Sequence, residues 1–294
     1  EWTKEGILYE GDQRHVEICL SEAGIEENSR VVNTPVDRSN KDAKNSNNLK
    51  AGEREDEKLD SSGTTRYRGL VARMNYLGQD RSDIQFAVKE LGKDLASPSQ
   101  ESWMKLKRLL RYLKGSPRLR LKYAHQHNDR TITAWTDSDF AGCIKSRKST
   151  SAGVIMLGNH LVKSWSTNQT VIALSSGEAE YYSMVKAGSV ALGIESLMKD
   201  LGAEDTGSIA IKTDASAAIG IGSRIGIGKV RHIEVNQLWL QEKVASGRFK
   251  IIKVPTHENL ADALTKGVDV TTIGIHVAGI GAEILQDRHS LAPK

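Results

Sequence analysis

The residues of this sequence that could do chemistry are acids placed just after apolar, β-branched runs. Asp137 and Asp139 follow Thr131-Ile132-Thr133-Ala134-Trp135, which reads as a strand. Asp214 follows Ile209-Ala210-Ile211-Lys212-Thr213 in the same manner. Glu180 stands two residues after Glu178 at the start of a long helical pattern, and Asp262 opens another, shortly after His257. A carboxylate ending a buried strand is held stiffly, yet its oxygens reach the sheet edge. Divalent-cation sites use that combination, because hard oxygen ligands at fixed separation lose little freedom on binding. Residues two apart on a helix point to different faces, so Glu178 and Glu180 cannot both join one site. Asp137, Glu180, Asp214 and Asp262 would repel one another at a shared edge unless cations neutralised them. Two Mg²⁺ ions roughly 3.5–4 Å apart, with Mn²⁺ as a substitute, would do so and suit in-line phosphodiester chemistry. His257, in the Thr256-His257-Glu258 loop, is placed to assist proton transfer or product release.

The elements that must position these acids are legible in the periodicity. Residues 1–35 carry a strand-like Gly6-Ile7-Leu8-Tyr9 and then a helical pattern on Val16, Leu20 and Ile25. Positions 37–63 are almost wholly polar and read as a flexible linker that cannot offset its ordering entropy. From 64 to 118 the pattern is helical. Tyr67, Leu70, Val71, Met74 and Leu77 form one face, and Trp103, Leu106, Leu109, Leu110 and Leu113 form the face of a helix capped by Ser99. From 119 the period shifts to two. Strands are expected at 119–123, 131–137, 152–157, 161–166 and 170–174, then a helix over 177–201 and a strand ending at Asp214. A helix at 235–245, a strand at 249–254 and a helix at 259–266 follow. That order predicts an α/β domain over 119–267, a mixed five-stranded sheet flanked by helices. Residues 268–294 read as a poorly ordered tail.

At 294 residues the chain can hold one or two domains with real cores. Its net charge is only +4, but no acid falls between Glu101 and Asp129 while eight basic residues do. Lys105, Lys107, Arg108, Arg111 and Lys114 on that helix suggest a polyanionic partner. Cys19 and Cys143 match no disulfide framework or zinc spacing, which favours a reducing, intracellular setting. No apolar run approaches the ~20 residues of a membrane span, so no membrane partner is expected. The sequence begins with Glu and reads as a segment of something longer.

The segments YRGLVARMNYLGQDRSDIQFAV, WMKLKRLLRYLKG, TDSDFAG, RKSTSAGVIMLG, KSWSTNQTVIALSSGEAEY, IKTDASAAI, RHIEV and THENLADALTK occur here in order. In that order they resemble the C-terminal end of the Pol polyprotein of copia-type LTR retrotransposons, from position 67 to 266 and weakly before it. The ALSSGEAEY and LADALTK phrases are the most specific. The resemblance implies the end of a reverse transcriptase (1–36, and a thumb- or connection-like unit at 64–118) followed by an RNase H-like domain. It implies hydrolysis of the RNA strand of RNA–DNA hybrids, with Asp137, Glu180, Asp214 and Asp262 as metal-binding acids and Glu178 and Asp139 as bystanders. Its expected partners are the hybrid and the remainder of the polyprotein, in cytoplasmic virus-like particles or the nucleus. Arg147 and Lys148, in the RKST segment, join the helix cations as expected nucleic-acid contacts.

The sequence departs from that family in places. The paired aspartates of a polymerase hairpin are absent, so the segment cannot polymerise DNA unaided, and no zinc knuckle, protease or integrase signature is visible. Lys266-Gly267 replaces the usual Lys-Pro, and Ala215 stands where a polar amide is common. Other constellations carry less. Ser175-Ser176 with His257 lacks a nucleophile elbow. The glycines from Gly220 to Gly228 have the wrong spacing for a phosphate loop and read as a mobile loop. His232 and His257 lack partners at transition-metal spacing. The alternative to a nuclease is an inactive or repurposed fragment that binds hybrid duplex or supports a polymerase.

Overall fold

The computed structural model describes residues 1–37, 57–126, 130–203, 207–226, 228, 232–290 and 292. In chain order the first elements are β1 (Trp2–Thr3), β2 (Gly6–Glu10), α1 (Arg14–Glu22), α2 (Ser61–Leu77), α3 (Gln85–Gly92) and α4 (Gln100–Gly115). Then come β3 (Arg118–Ala124), β4 (Ile132–Asp139), β5 (Thr150–Leu157), β6 (His160–Asn168) and α5 (Ser176–Asp200). The chain closes with β7 (Ile209–Thr213), α6 (Ser216–Gly222), α7 (Trp239–Ala245), β8 (Phe249–Lys253), α8 (Val270–Gly279) and β9 (Ala282–Leu285). No helix among the described residues is long and apolar enough to cross a membrane. The chain divides into two compact units, both discontinuous in sequence. One holds residues 1–8, 122–266 and 278–281; the other holds 9–121, 267–277 and 282–294.

The first unit is built on a five-stranded sheet in the order β6-β5-β4-β7-β8. The β4–β5 and β5–β6 pairs are antiparallel, whereas β4–β7 and β7–β8 are parallel, so the sheet is mixed as the element order predicted. Burial alternates with period two along β4 and β7, while β5 is buried along almost its whole length. Ile132, Ala134, Ile209, Ile211 and Phe249 are buried against Tyr181, Met184, Ala187 and Ala191 of α5 and Leu240 of α7. Gly153 lies opposite Trp165 on β6, where an added Cβ would come within 2.2 Å of the indole, so only glycine lets that ring into the core.

Four of the elements read from the sequence differ in the structure. Residues 170–174 form no strand: Val171, Ile172 and Leu174 are exposed and only Ala173 is buried, so the run offers no continuous apolar face to a sheet. The expected helix at 259–266 is a short 3-10 turn, Asp262–Leu264, because its buried residues crowd together instead of recurring at helical spacing. The helix read at 235–245 is broken into a 3-10 turn, Val235–Gln237, and α7. The strand read at 119–123 is β3, and it lies outside the five-stranded sheet; its residues Arg118–Leu121 pair antiparallel with β9.

In the second unit α1, α2, α3 and α4 share one core of Val16, Cys19, Tyr67, Leu70, Met74, Leu91, Leu106, Leu109 and Leu113. Asp60 caps α2 by accepting from Gly63 N–H at 2.6 Å, and Ser99 and Ser102 of α4 cap reciprocally, each backbone N–H donating to the other's hydroxyl at 3.2 Å. The linker expected at 37–63 therefore gives way to helix at Ser61, and its positions 38–56 lie outside the described residues. The expected disordered tail is instead ordered as α8 and β9. Ile273, His276 and Val277 are buried, and Ser82 Oγ and His276 Nε2 are 2.8 Å apart. Gly and Thr lower the helix propensity of that segment, and burial overrides it.

Candidate metal centre

Strand register delivers the first two acids. Trp135 on β4 is level with Lys212 on parallel β7, so Asp137, two residues on in β4, and Asp214, just past the end of β7, come to the same edge of the sheet. The third acid, Glu180, comes from the second turn of α5, whose start is fixed by Ser175 accepting from Glu178 N–H at 3.2 Å. Helix and strand are tied together at this point. Ser183 Oγ reaches Asp137 O at 2.8 Å and Ala152 O at 3.1 Å, and Ser138 N–H donates to Glu180 Oε1 at 3.2 Å. As a result Asp137, Glu180 and Asp214 each present an oxygen within 4.8 Å of the others.

The electrostatics of this group are unfavourable without a counter-ion. Burial pushes the Asp137 carboxyl up to about 7, helped by the charges of Asp262 and Asp214 and opposed by the Thr265 hydroxyl and Lys266. Burial also pushes Glu180 up to about 9, with Asp137 and Asp214 adding repulsion. Thr265 Oγ1 donates to Asp137 Oδ2, and Thr256 Oγ1 donates to Asp214 Oδ2 at 2.6 Å. Glu180 Oε2 is buried with no hydrogen-bond partner. Hard oxygen donors, mutual repulsion and one unsatisfied carboxylate oxygen are what a divalent cation would satisfy, so the residues present fit one.

Asp262, expected as the fourth ligand, is not part of the three-acid group among the described residues. It is buried, and Lys266 Nζ donates to its Oδ1 from one turn on. Lys266 and Thr265 were missed as site residues, although both stand in the LADALTK phrase and the i, i+4 spacing of Asp262 and Lys266 was readable. His257 lies on the 3-10 turn Thr256–Glu258 with its side chain exposed, its Nε2 3.7 Å from Glu258. Glu178 faces away from the three acids and is almost wholly buried. It accepts from Leu174 N–H at 3.0 Å and Tyr182 Oη at 2.9 Å, and it meets His232 Nε2 at 2.6 Å. His232 therefore has a partner that its sequence neighbours do not reveal. The loop read at 220–229 lies partly outside the described residues.

The helix cations are largely committed within their own unit. Lys105 pairs with Glu101 at 2.9 Å, and Arg108 reaches Asp37 at 3.3 Å and Thr34 at 2.9 Å. Lys114 Nζ donates to the carbonyls of Glu26, Glu27 and Ser29. Arg118 pairs with Glu10 and Asp287, and Arg120 with Glu283. Several of the basic residues of this stretch are thus engaged by acids and loop carbonyls of the same unit. Lys107 and Arg111 are half-buried. In the other unit Arg147, on the β4–β5 loop, is exposed with φ +57°, and Lys148 beside it is half-buried.

No family model matches the chain. Among proteins, it is 33% identical over 218 residues to the retrovirus-related Pol polyprotein from transposon RE1 of Arabidopsis thaliana, covering 74% of this chain and 15% of that one. It is 32% identical over 203 residues to the Pol polyprotein from transposon RE2 of the same plant, covering 69% and 14%. The Pol polyprotein from transposon TNT 1-94 of Nicotiana tabacum is 31% identical over 189 residues, covering 64% and 14%. Solved structures similar to part of the chain include LC11-RNase H1 isolated from compost, at 17% identity and TM-score 0.32 over 46% of this chain and 92% of that one. The N-terminal RNase H domain of rv2228c from Mycobacterium tuberculosis is also 17% identical, at TM-score 0.31 over 51% and 95%. The chain spans about 15% of the length of the RE1 relative. At 31–33% identity over 64–74% of its length, the chain belongs to the copia-type retrovirus-related Pol polyproteins, and its own fold includes an α/β domain with a mixed five-stranded sheet.

Proposed function

We propose that the chain hydrolyses the RNA strand of RNA–DNA hybrids with divalent cations held by Asp137, Glu180 and Asp214. The observation that carries this reading is the convergence of three carboxylates within 4.8 Å, two of them driven upward in pKa by burial. Two Mg²⁺ ions, or Mn²⁺ in their place, would supply the positive charge and Lewis acidity for in-line phosphodiester cleavage. The chain's own part is positional. Asp137 of the central strand, Glu180 and Asp214 would hold the ions, Thr265 and Thr256 orient Asp137 and Asp214, and Ser138 N–H orients Glu180. His257, exposed on the turn that carries Thr256, would assist proton transfer or product release. The hybrid's 2′-hydroxyls would distinguish RNA from DNA, and Arg147 and Lys148 would meet its backbone from the β4–β5 loop. The larger polyprotein is the natural partner.

The test is cleavage of an end-labelled RNA–DNA hybrid by the purified chain with Mg²⁺ and with EDTA. Cleavage of the RNA strand only with Mg²⁺, lost in Asp137→Asn, is expected. A chain that binds hybrid but leaves it intact at every Mg²⁺ and Mn²⁺ concentration would instead be a binding module.

A further inference from the structure

Of four acids expected to act together, three converge and the fourth carries a lysine. Asp262 is close enough for its charge to raise Asp137, yet its own carboxylate is met by Lys266 Nζ. We propose that Lys266 is a built-in counter-cation that competes with a divalent ion for Asp262, so that Asp262 joins the cation set only when the ammonium leaves it. This rests on the reading of the site as a divalent-cation site, and not on the hybrid being its substrate.

The two partners are unequal in a way that says which one moves. The Asp262 side chain is 11% exposed and that of Lys266 is 39% exposed. Asp262 is held in a tight turn: Thr265 Oγ1 bonds its carbonyl at 3.1 Å, and its N–H donates to Asn259 O at 3.1 Å. Asn259 is itself fixed, its Nδ2–H donating to Thr136 O of β4 at 2.9 Å. Lysine has a flexible four-carbon stem and a strongly hydrated head, so swinging out into water is its low-cost move. An ion pair open to solvent on one side is weak, whereas a divalent ion shared with the neighbouring acids gains from several oxygens at once. Lys266 thus acts through Asp262 as a positioning residue, holding the fourth carboxylate in place and its charge balanced until a cation takes over. The lysine's charge also offsets part of the repulsion on Asp137 and Glu180.

The experiment is calorimetric titration of Mn²⁺ into the full chain, with circular dichroism melts to confirm folding of each variant. Lys266→Met is expected to bind Mn²⁺ about fivefold tighter, or to take up one more ion, and Lys266→Arg to stay near wild type. In Lys266→Met/Asp262→Asn the gain should vanish. Lys212→Met, which removes a cation stacked on Trp135, should change little. Unchanged binding in Lys266→Met, a gain that survives Asp262→Asn, or an equal gain in Lys212→Met would each overturn the proposal, the last two by showing a general charge effect. A wild-type chain that binds no Mn²⁺ would sink the cation site and the proposal together. One that binds Mn²⁺ with the expected Lys266 effect but leaves the hybrid uncut would sink only the substrate.

Discussion

In the helical unit Arg81 and Asp83 are 2% and 0% exposed at their side chains and face each other at 2.7 Å. Tyr112 Oη donates to the same Asp83 carboxylate at 2.8 Å, and Arg81 donates onward to the carbonyls of Ser116 and Pro117. Each charge there has its partner. Although burial alone would raise the Asp83 carboxyl, Arg81 and Tyr112 hold it below the ordinary range. In the sheet unit Asp137, Glu180 and Asp214 converge to within 4.8 Å with no cation of the chain among the three, and Asp137 and Glu180 move the other way. A buried network that is satisfied from within serves the fold. A buried group left short of positive charge costs stability, and such a deficit marks a site for something from outside.

The largest effect that separates the two clusters is expected from Asp137→Asn. If the acids hold catalytic cations, hybrid cleavage should fall on the order of a thousandfold or more, several kcal/mol of barrier. The melting temperature should hold or rise, because a repelling charge is gone. Near-wild-type cleavage rates would remove Asp137 from the reaction.

Arg81→Met is expected to do the opposite. It leaves Asp83 buried without its ion partner, which costs about 3–5 kcal/mol of stability. Urea denaturation followed by circular dichroism would read this directly, and a midpoint within error of wild type would show the pair to be dispensable.

The two clusters should also bend the pH–stability curve in opposite directions. Asp83 has a lowered folded pKa, so its contribution is present above its ordinary value of 3.8 and is lost as pH falls through the folded value. Asp137 and Glu180 have raised folded values, about 7 and about 9, so the folded state binds more protons than the unfolded one between their ordinary values and those. Stability should therefore decline from about pH 4 to pH 9 in EDTA, and Mg²⁺ or Glu180→Gln should flatten that limb. A melting temperature independent of pH across this window in EDTA would contradict the charge deficit.

A smaller effect is expected from Glu178→Gln, which keeps shape but weakens the bonds to Leu174 N–H, Tyr182 and His232. About 1–3 kcal/mol of stability should be lost, with cleavage reduced far less than in Glu180→Gln. Equal loss in the two variants would mean that the carboxylates of α5 have been assigned to the wrong faces. The smallest effect is reserved for Arg147→Ala/Lys148→Ala. Hybrid binding should weaken uniformly across sequences and its salt slope should drop by about 1–2. Lys114→Ala should instead destabilise the helical unit, since its ammonium is spent on three carbonyls.

The sequence by itself made Asp137, Glu180 and Asp214, the strands β4 and β7 and the family legible. Period-two burial and carboxylates near strand ends are local signals, and Asp137 and Asp214 were legible because one lies in its own strand and the other just past one. The helix faces of α2 and α4 were legible for the same reason: their apolar residues recur within a few turns. Only the tertiary structure decided which charges meet. Asp262 and Lys266 could be counted as a ligand and a stray cation until the turn at Asp262–Leu264 set them against each other. His232 found Glu178 across 54 positions, and the basic run at 105–120 found its acids at Glu10, Asp37, Glu283 and Asp287. The tail became a helix because His276 and Ser82, 194 positions apart, are buried together. Periodicity records which side of an element is apolar, which the chain carries locally. The pairing of charges depends on distances between segments far apart in sequence, and those exist only once the chain has folded.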